Sequence, residues 1–194
     1  MGQLAKIVSD INEFLEQEAN NKKIVAVITG DYTTGKTTIG LALEKFFRNI
    51  VFVIGDNFRK KIVFGKNKKE NYKNFLSSYD VSLIKKIIES FLNDKDIPIW
   101  FKENHVIRKK IYHNHCKNIL LLELQFVFDK HFSSLPIDCV VEVRSSKKDI
   151  EARRCVRIIK KLDKIRFDDI LLIYKDLKVA AKNKFKLKVA KFNN

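Results

Sequence analysis

The segment Gly30-Asp31-Tyr32-Thr33-Thr34-Gly35-Lys36-Thr37 constrains this chain more than any other, because of what flanks it. It follows the apolar run Ile24-Val25-Ala26-Val27-Ile28 and leads into a stretch of helical pattern. A buried strand, a glycine-bracketed turn and a helix start in succession aim consecutive main-chain N–H groups, and the positive end of a helix dipole, at one anion. In such a loop the Lys36 ammonium reaches the terminal phosphates of a nucleotide and the Thr37 hydroxyl holds a magnesium ion. Gly30, Asp31, Tyr32, Thr33, Thr34, Gly35, Lys36, Thr37 and Thr38 are therefore the candidate phosphate cradle. The chain has only six glycines and two of them belong to this motif, so a glycine-rich composition does not explain it.

At 194 residues and 45% hydrophobic content the chain suffices for one compact domain, and no Pro/Gly/Ser-rich linker divides residues 1–194. Its net charge of +16 raises nucleic acid as a partner, but lysines are spread along the whole length among Asn and Ile. No single-stranded-RNA module signature or zinc-finger spacing accompanies them, which argues against nucleic acid as the main partner. Cys116, Cys139 and Cys155 are widely spaced and odd in number, as expected of reduced thiols in a cytoplasmic protein. His113-Asn114-His115-Cys116 offers metal-binding types, yet no fourth ligand lies nearby, and ordinary polar surface is the expectation. No run approaches the length of a membrane span, so no membrane partner is expected. The oligomeric state stays open, since the first helix can pack on its own domain or on a neighbour's.

Leu4, Ile7, Val8, Ile11, Phe14 and Leu15 recur at helical spacing and predict an amphipathic helix over about 3–19. Ile50-Val51-Phe52-Val53-Ile54 predicts a second strand that ends at Gly55-Asp56. Residues 57–78 are polar with little periodicity and read as a long loop with a short helix. Asp80 caps a helix whose apolar face is Val81, Ile84, Ile87, Ile88, Phe91 and Leu92. Ile97–Phe101 and Val106–Tyr112 suggest a hairpin, while Asn118–Glu123 and Cys139–Val143 are continuous apolar strands. Further helices are expected over about 147–162 and 168–181, and the Lys-alternating tail Phe185–Val189 suits a last strand near a sheet edge. Strands separated by helices imply an α/β fold, a mainly parallel sheet of about five strands with helices on both faces and ligands at the carboxyl ends of the strands.

In that arrangement Asp56 and Glu123, each at a strand's carboxyl end, converge on the nucleotide. Asp56 is placed to be a base for an acceptor hydroxyl, and Glu123 to hold magnesium or meet the acceptor. Five of the eight arginines fall between positions 144 and 166, and Arg153 and Arg157 lie one helical turn apart. Their planar forks suit phosphate oxygens, so the 147–162 helix reads as a lid that closes on the transferring group. Asn67-Lys68-Lys69-Glu70 imitates the guanine-reading element of GTPases, but it lies in a polar loop rather than after a late strand.

With these parts in order, Lys23 to Asp169 resembles the uridine kinase and phosphoribulokinase-like branch of the P-loop kinases. Gly55-Asp56-Asn57-Phe58-Arg59 matches the family's second-strand motif at the Asp and the Phe. Pro98-Ile99-Trp100-Phe101-Lys102-Glu103-Asn104-His105 matches its nucleoside-pocket hairpin at the Pro, an aromatic and the His. Leu122-Glu123-Leu124 stands for its Val-Glu-Gly, and Arg153, Arg154 and Arg157 for its lid arginines. The chain departs where Arg59 replaces a Tyr, Phe101 an Asp, Leu124 a Gly, and Lys73 the carboxylate that grips the ribose diol.

The resemblance implies a P-loop NTPase three-layer α/β/α sandwich with a small hairpin over the acceptor site. It also implies ATP- and Mg2+-dependent phosphoryl transfer to the hydroxyl of a nucleoside-like small molecule. Lys36, Asp56, Arg153 and Arg157 would be catalytic, Phe58, Trp100, His105 and Glu123 would meet the acceptor, and Thr37 and Glu123 would hold the metal. An ATP-binding protein with a degenerate acceptor site, or a nucleic-acid-stimulated ATPase, are the alternatives.

Overall fold

The computed structural model describes residues 3–60, 68–103, 106–113, 116–146, 148–153 and 186–191. The helix α1 (Gln3–Ala19) precedes strand β1 (Ile24–Thr29), the phosphate loop and helix α2 (Lys36–Phe46). Strand β2 (Ile50–Ile54) runs into a 3-10 turn, Gly55–Phe58, and helices α3 (Lys68–Ser77) and α4 (Val81–Leu92) follow. An antiparallel hairpin, β3 (Ile97–Glu103) and β4 (Val106–Tyr112), comes before β5 (Ile119–Glu123), β6 (Cys139–Arg144) and β7 (Lys186–Lys191).

The main sheet has the order β2-β5-β1-β6-β7. Its first four strands are parallel, with Ile24 beside Ile119 and Ile50 beside the same residue, and β7 closes the β6 edge antiparallel. The expected mainly parallel sheet of about five strands is thus present. Every residue of β1 is buried, as a central strand covered on both faces requires.

Successive β1 residues feed two separate cores. Val25 and Val27 join Ile84, Ile87, Ile88 and Phe91 of α4 on one face. Ile24, Ala26 and Ile28 join Val8, Ile11 and Leu15 of α1 and Ile39 and Leu43 of α2 on the other. This is the three-layer sandwich: the period of two in the strands meets helical stripes above and below. The fully buried side chains of the α4 stripe each contribute on the order of 1.5–3 kcal/mol by leaving water. Asp80 starts α4 by accepting a hydrogen bond from the Leu83 N–H at 3.0 Å, the capping expected of it.

One difference from the sequence expectation and one close approach shape the site. The polar stretch read as a loop with a short helix holds ten-residue α3, whose Phe75 and Leu76 pack inward. Its exit is tied back to the end of the 3-10 turn, for the Lys60 N–H donates to the Ser78 carbonyl and the Asp80 N–H to the Phe58 carbonyl, both at 2.8 Å. A β-bridge between Arg59 and Tyr79 lies between these bonds. The close approach is at Gly55, where a Cβ would lie 1.9 Å from the Glu123 carbonyl oxygen. Only glycine lets the ends of β2 and β5 approach so closely, and this brings Asp56 and Glu123 to one side of the sheet.

Of the expected helix over 147–162, residues 148–153 are helical and the rest lies outside the described residues. So does the helix expected over 168–181. The hairpin packs against α4 and against the 3-10 turn that carries Asp56. Among the described residues no helix is long and apolar enough to cross a membrane.

Candidate functional site

The loop between β1 and α2 has the conformation its glycines require. Gly30 and Gly35 have φ of 140° and 99°, and Thr33 between them has φ of 68°. A Cβ on Gly30 would meet the Val143 carbonyl oxygen at 2.2 Å, so neighbouring β6 leaves no room for a side chain there. Lys36, only 7% exposed, bends back over the loop, and its Nζ donates to the carbonyls of Gly30 at 2.9 Å and Asp31 at 2.8 Å. The Thr34 hydroxyl donates to the Asp31 carbonyl at 2.9 Å. These bonds hold the Lys36 ammonium against the loop's own carbonyls.

Thr37, in the first turn of α2, donates its hydroxyl to Glu123, 2.8 Å from Oε2 and 3.1 Å from Oε1. A hydroxyl oxygen and a carboxylate in contact form a hard-oxygen pair that suits magnesium, which takes one or two carboxylates and draws its other ligands from phosphate and water. Among the described residues no group of three or more His, Cys, Asp or Glu is placed to hold a metal by itself.

The base of the expected lid is attached to the phosphate loop. Arg153 Nη1 donates to the carbonyls of Thr33 at 3.1 Å and Thr34 at 3.2 Å, and the Thr33 hydroxyl lies 3.1 Å from the Ile150 carbonyl. A guanidinium is thus held beside the loop.

Facing these groups is a wall that the sequence reading did not anticipate. Arg59 Nη2 lies 3.3 Å from Asp56 Oδ2. Its guanidinium carbon sits over the ring of Phe75, 4.7 Å from the centroid, and 5.6 Å from that of Tyr79. Phe75 and Tyr79 meet edge to face with centroids 5.6 Å apart, as do Phe75 and Phe126. Burial pushes the Tyr79 phenol up to about 12, so it stays neutral at ordinary pH and offers no base.

A cavity of about 790 Å³ joins both sides. Tyr32, Thr33, Gly35, Lys36, Thr37 and Thr38 line it from the loop, Asp56, Arg59, Phe75, Tyr79, Glu123 and Gln125 from the other wall, and Arg153 from the helical segment 148–153. Gly30 and Asp31 line a smaller neighbouring cavity instead. Phe58, expected at the acceptor, is 4% exposed and packs in the core beneath, because the 3-10 turn directs it inward; Phe75 and Tyr79 stand on the wall in its place. Trp100 lies in β3, on the hairpin beside the Asp56 turn, whereas His105 and Arg157 lie outside the described residues. Arg59, Phe75 and Tyr79 carried weak signals: a departure from a family motif and two aromatics in a polar stretch.

This mainly parallel α/β sandwich, with a phosphate loop after its central strand and a separate hairpin, is similar in fold to solved proteins of which two are described as kinases. Three solved structures carry that likeness. A protein from Bacillus stearothermophilus described as a possible uridine kinase matches with a TM-score of 0.53 and 12% identity, over 90% of this chain and 97% of that one. A protein from Silicibacter sp. TM1040, provisionally described as a fructose transport system kinase, matches with a TM-score of 0.59 and 13% identity, over 93% of each chain. The YGR205w protein matches with a TM-score of 0.57 and 12% identity, over 100% of each chain. No protein-family model and no curated protein matches the sequence. At such identities the likeness is one of fold.

Proposed function

We propose that the protein is an ATP- and magnesium-dependent kinase that phosphorylates a hydroxyl of a small molecule. One observation carries this reading: a single cavity has the phosphate loop, Asp56, Glu123 and Arg153 on its walls. Phosphoryl transfer asks for those parts together, a cradle, a metal ligand, a cationic clamp and a group to take the acceptor's proton.

The loop amides and Lys36 would hold the triphosphate, and Lys36 exchanges its carbonyl partners for phosphate oxygens on binding. Thr37 and Glu123 would hold the magnesium. The bound ion supplies charge neutralisation at the phosphates. Asp56 takes the proton of the acceptor hydroxyl as that oxygen bonds to the γ-phosphorus and the bond from phosphorus to the ADP oxygen breaks. Arg153, moving from the Thr33 and Thr34 carbonyls to the transferring group, would act with Arg157 to stabilise charge and exclude water. The resemblance to uridine kinases makes a nucleoside the family-derived candidate for the acceptor, and such a kinase would work in the cytoplasm.

Asp56→Asn tests the assignment. General-base contributions are typically about 10²- to 10⁴-fold, so turnover falls by that factor while ATP binding by calorimetry changes little. An Asp56→Asn enzyme with unimpaired turnover would remove the assigned base.

A further inference from the structure

We propose that the acceptor alcohol carries a second, anionic group, a carboxylate or a phosphate ester, and that Arg59 binds it. The inference rests on the kinase reading above and narrows its acceptor to negatively charged molecules.

Arg59 stands three residues after Asp56, on the cavity wall opposite the phosphate loop. It is not a solvated surface arginine, for its side chain is 21% exposed and its guanidinium is seated on Phe75 and Tyr79. The bridge between Arg59 and Tyr79 fixes the main chain beneath it. A planar cation held in this way has lost most of its rotamer freedom before a ligand arrives, which lowers the cost of each hydrogen bond it then makes.

The geometry also leaves Arg59 with capacity to spare. Its ion pair brings one terminal nitrogen to one Asp56 oxygen at 3.3 Å, whereas a guanidinium carries five N–H donors. Asp56 is itself 63% exposed, so water screens this pair. A carboxylate or phosphate entering the cavity would displace that water and receive two parallel N–H bonds, the geometry in which arginine outperforms lysine.

Two consequences set this wall against a neutral acceptor. Arg59 covers a face of Phe75 and sits beside that of Tyr79, surfaces on which an uncharged base would otherwise stack. A neutral molecule that closed the cavity would also leave the guanidinium cut off from water with only the Asp56 carboxylate opposite it, the carboxylate needed as base. An anionic substituent gives Arg59 a second partner and frees Asp56 for the proton. The anion itself is not consumed: the bonds made and broken are those of the transfer step.

The test compares one carbon skeleton in three charge states, glucose, gluconate and glucose 6-phosphate, with uridine beside them, following ADP release and product mass with magnesium and ATP. Turnover is expected on a charged member and not on glucose or uridine. Response to gluconate alone assigns a carboxylate, and to glucose 6-phosphate alone a phosphate. Arg59→Gln should raise KM for that acceptor at least tenfold with KM for ATP within a factor of two, and Arg59→Lys should recover part of the loss. Because this skeleton can be the wrong size, thermal unfolding is followed in parallel with a non-hydrolysable ATP analogue filling the loop and acetate or inorganic phosphate added. Either anion should raise the midpoint of the wild type and not of Arg59→Gln. Transfer to glucose or uridine at comparable rates, no anion response in the wild type, or a response that survives Arg59→Gln overturns the proposal. Transfer to a neutral alcohol leaves the kinase reading standing, whereas failure of the analogue to bind overturns that reading.

Discussion

The Thr37 hydroxyl, in the first turn of α2, is bonded to both oxygens of Glu123 at the end of β5, and this contact joins the phosphate-loop side of the cavity to its far wall. It exists because β5 lies directly between β1 and β2, so that its last residue emerges beside the start of the helix that β1 feeds.

Glu123→Gln keeps the shape of this contact and removes its charge. Turnover should fall about 10- to 100-fold, the range typical of groups that orient a metal's ligands, and the magnesium concentration for half-maximal rate should rise. A magnesium titration at fixed ATP reads both. The thermal midpoint of the unliganded protein should change by no more than a few degrees, which separates a metal effect from a folding one.

Lys36→Ala removes an ammonium that is nearly buried and bonded to the carbonyls of Gly30 and Asp31. Losing a preorganised electrostatic donor in a closed site costs roughly 10²- to 10³-fold in rate, and that is the expected fall in turnover. Lys36→Arg should not restore it, since the larger planar head cannot occupy the same tight fold of loop. Steady-state rates of the two variants decide this.

Arg153→Ala tests the tie between the helical segment 148–153 and the phosphate loop. Thr33 holds a positive φ of 68° while its carbonyl and that of Thr34 accept from this guanidinium. Hydrogen bonds to charged groups contribute about 1.5–3 kcal/mol, so losing those that Arg153 would make to the transferring group should lower turnover roughly tenfold or more. Hydrogen exchange at the amides of residues 33–35 should quicken in the free protein, a readout that a pure phosphate clamp would leave unmoved.

What could be read in advance divides along physical lines. The phosphate loop and the central strands are local: a continuous apolar run, a glycine at each end of a turn and a helix start determine one another within fourteen residues, Ile24 to Thr37. Asp56 and Glu123 follow from the same logic, since strand ends in a parallel sheet share one edge. The α3 helix is not local in this sense. Its Phe75 finds Phe126 and Arg59, distant in sequence, and that packing outweighs a lysine- and asparagine-rich composition. Arg59 reads only as a departure from a motif until Phe75 and Tyr79 are placed beneath it. Phe58 misleads because its neighbour Asp56 faces the cavity, while the 3-10 turn sends residues two apart in different directions. The alternating tail marks β7 as a strand at a sheet edge, but alternation is the same in both directions and cannot show that it runs antiparallel.

Asp80 makes stability depend on pH in a definite direction. The Ser82 hydroxyl at 2.6 Å, and after it the Leu83 N–H, hold its carboxyl below the ordinary value of 3.8. A carboxyl lowered in the folded state stabilises the fold above its unfolded pKa, and that contribution fades as pH falls through the folded one. The Lys60 ammonium 3.9 Å away is 73% exposed and adds little. Asp80→Ala at neutral pH should therefore cost about 1 kcal/mol, the usual loss of a helix cap. For a chain of this size that corresponds to roughly 2–4 °C in the thermal midpoint. The gap between the two proteins should narrow as the pH is taken below 3.8, where the wild type loses its charged acceptor. Asp80→Asn can still accept from the Leu83 N–H but cannot titrate, so it should stay close to the wild type at neutral pH and lack the acid-dependent loss. Thermal melts of the three proteins from pH 7 to pH 3 decide the matter, and a gap that stays constant across that range would show that the charge on Asp80 contributes nothing.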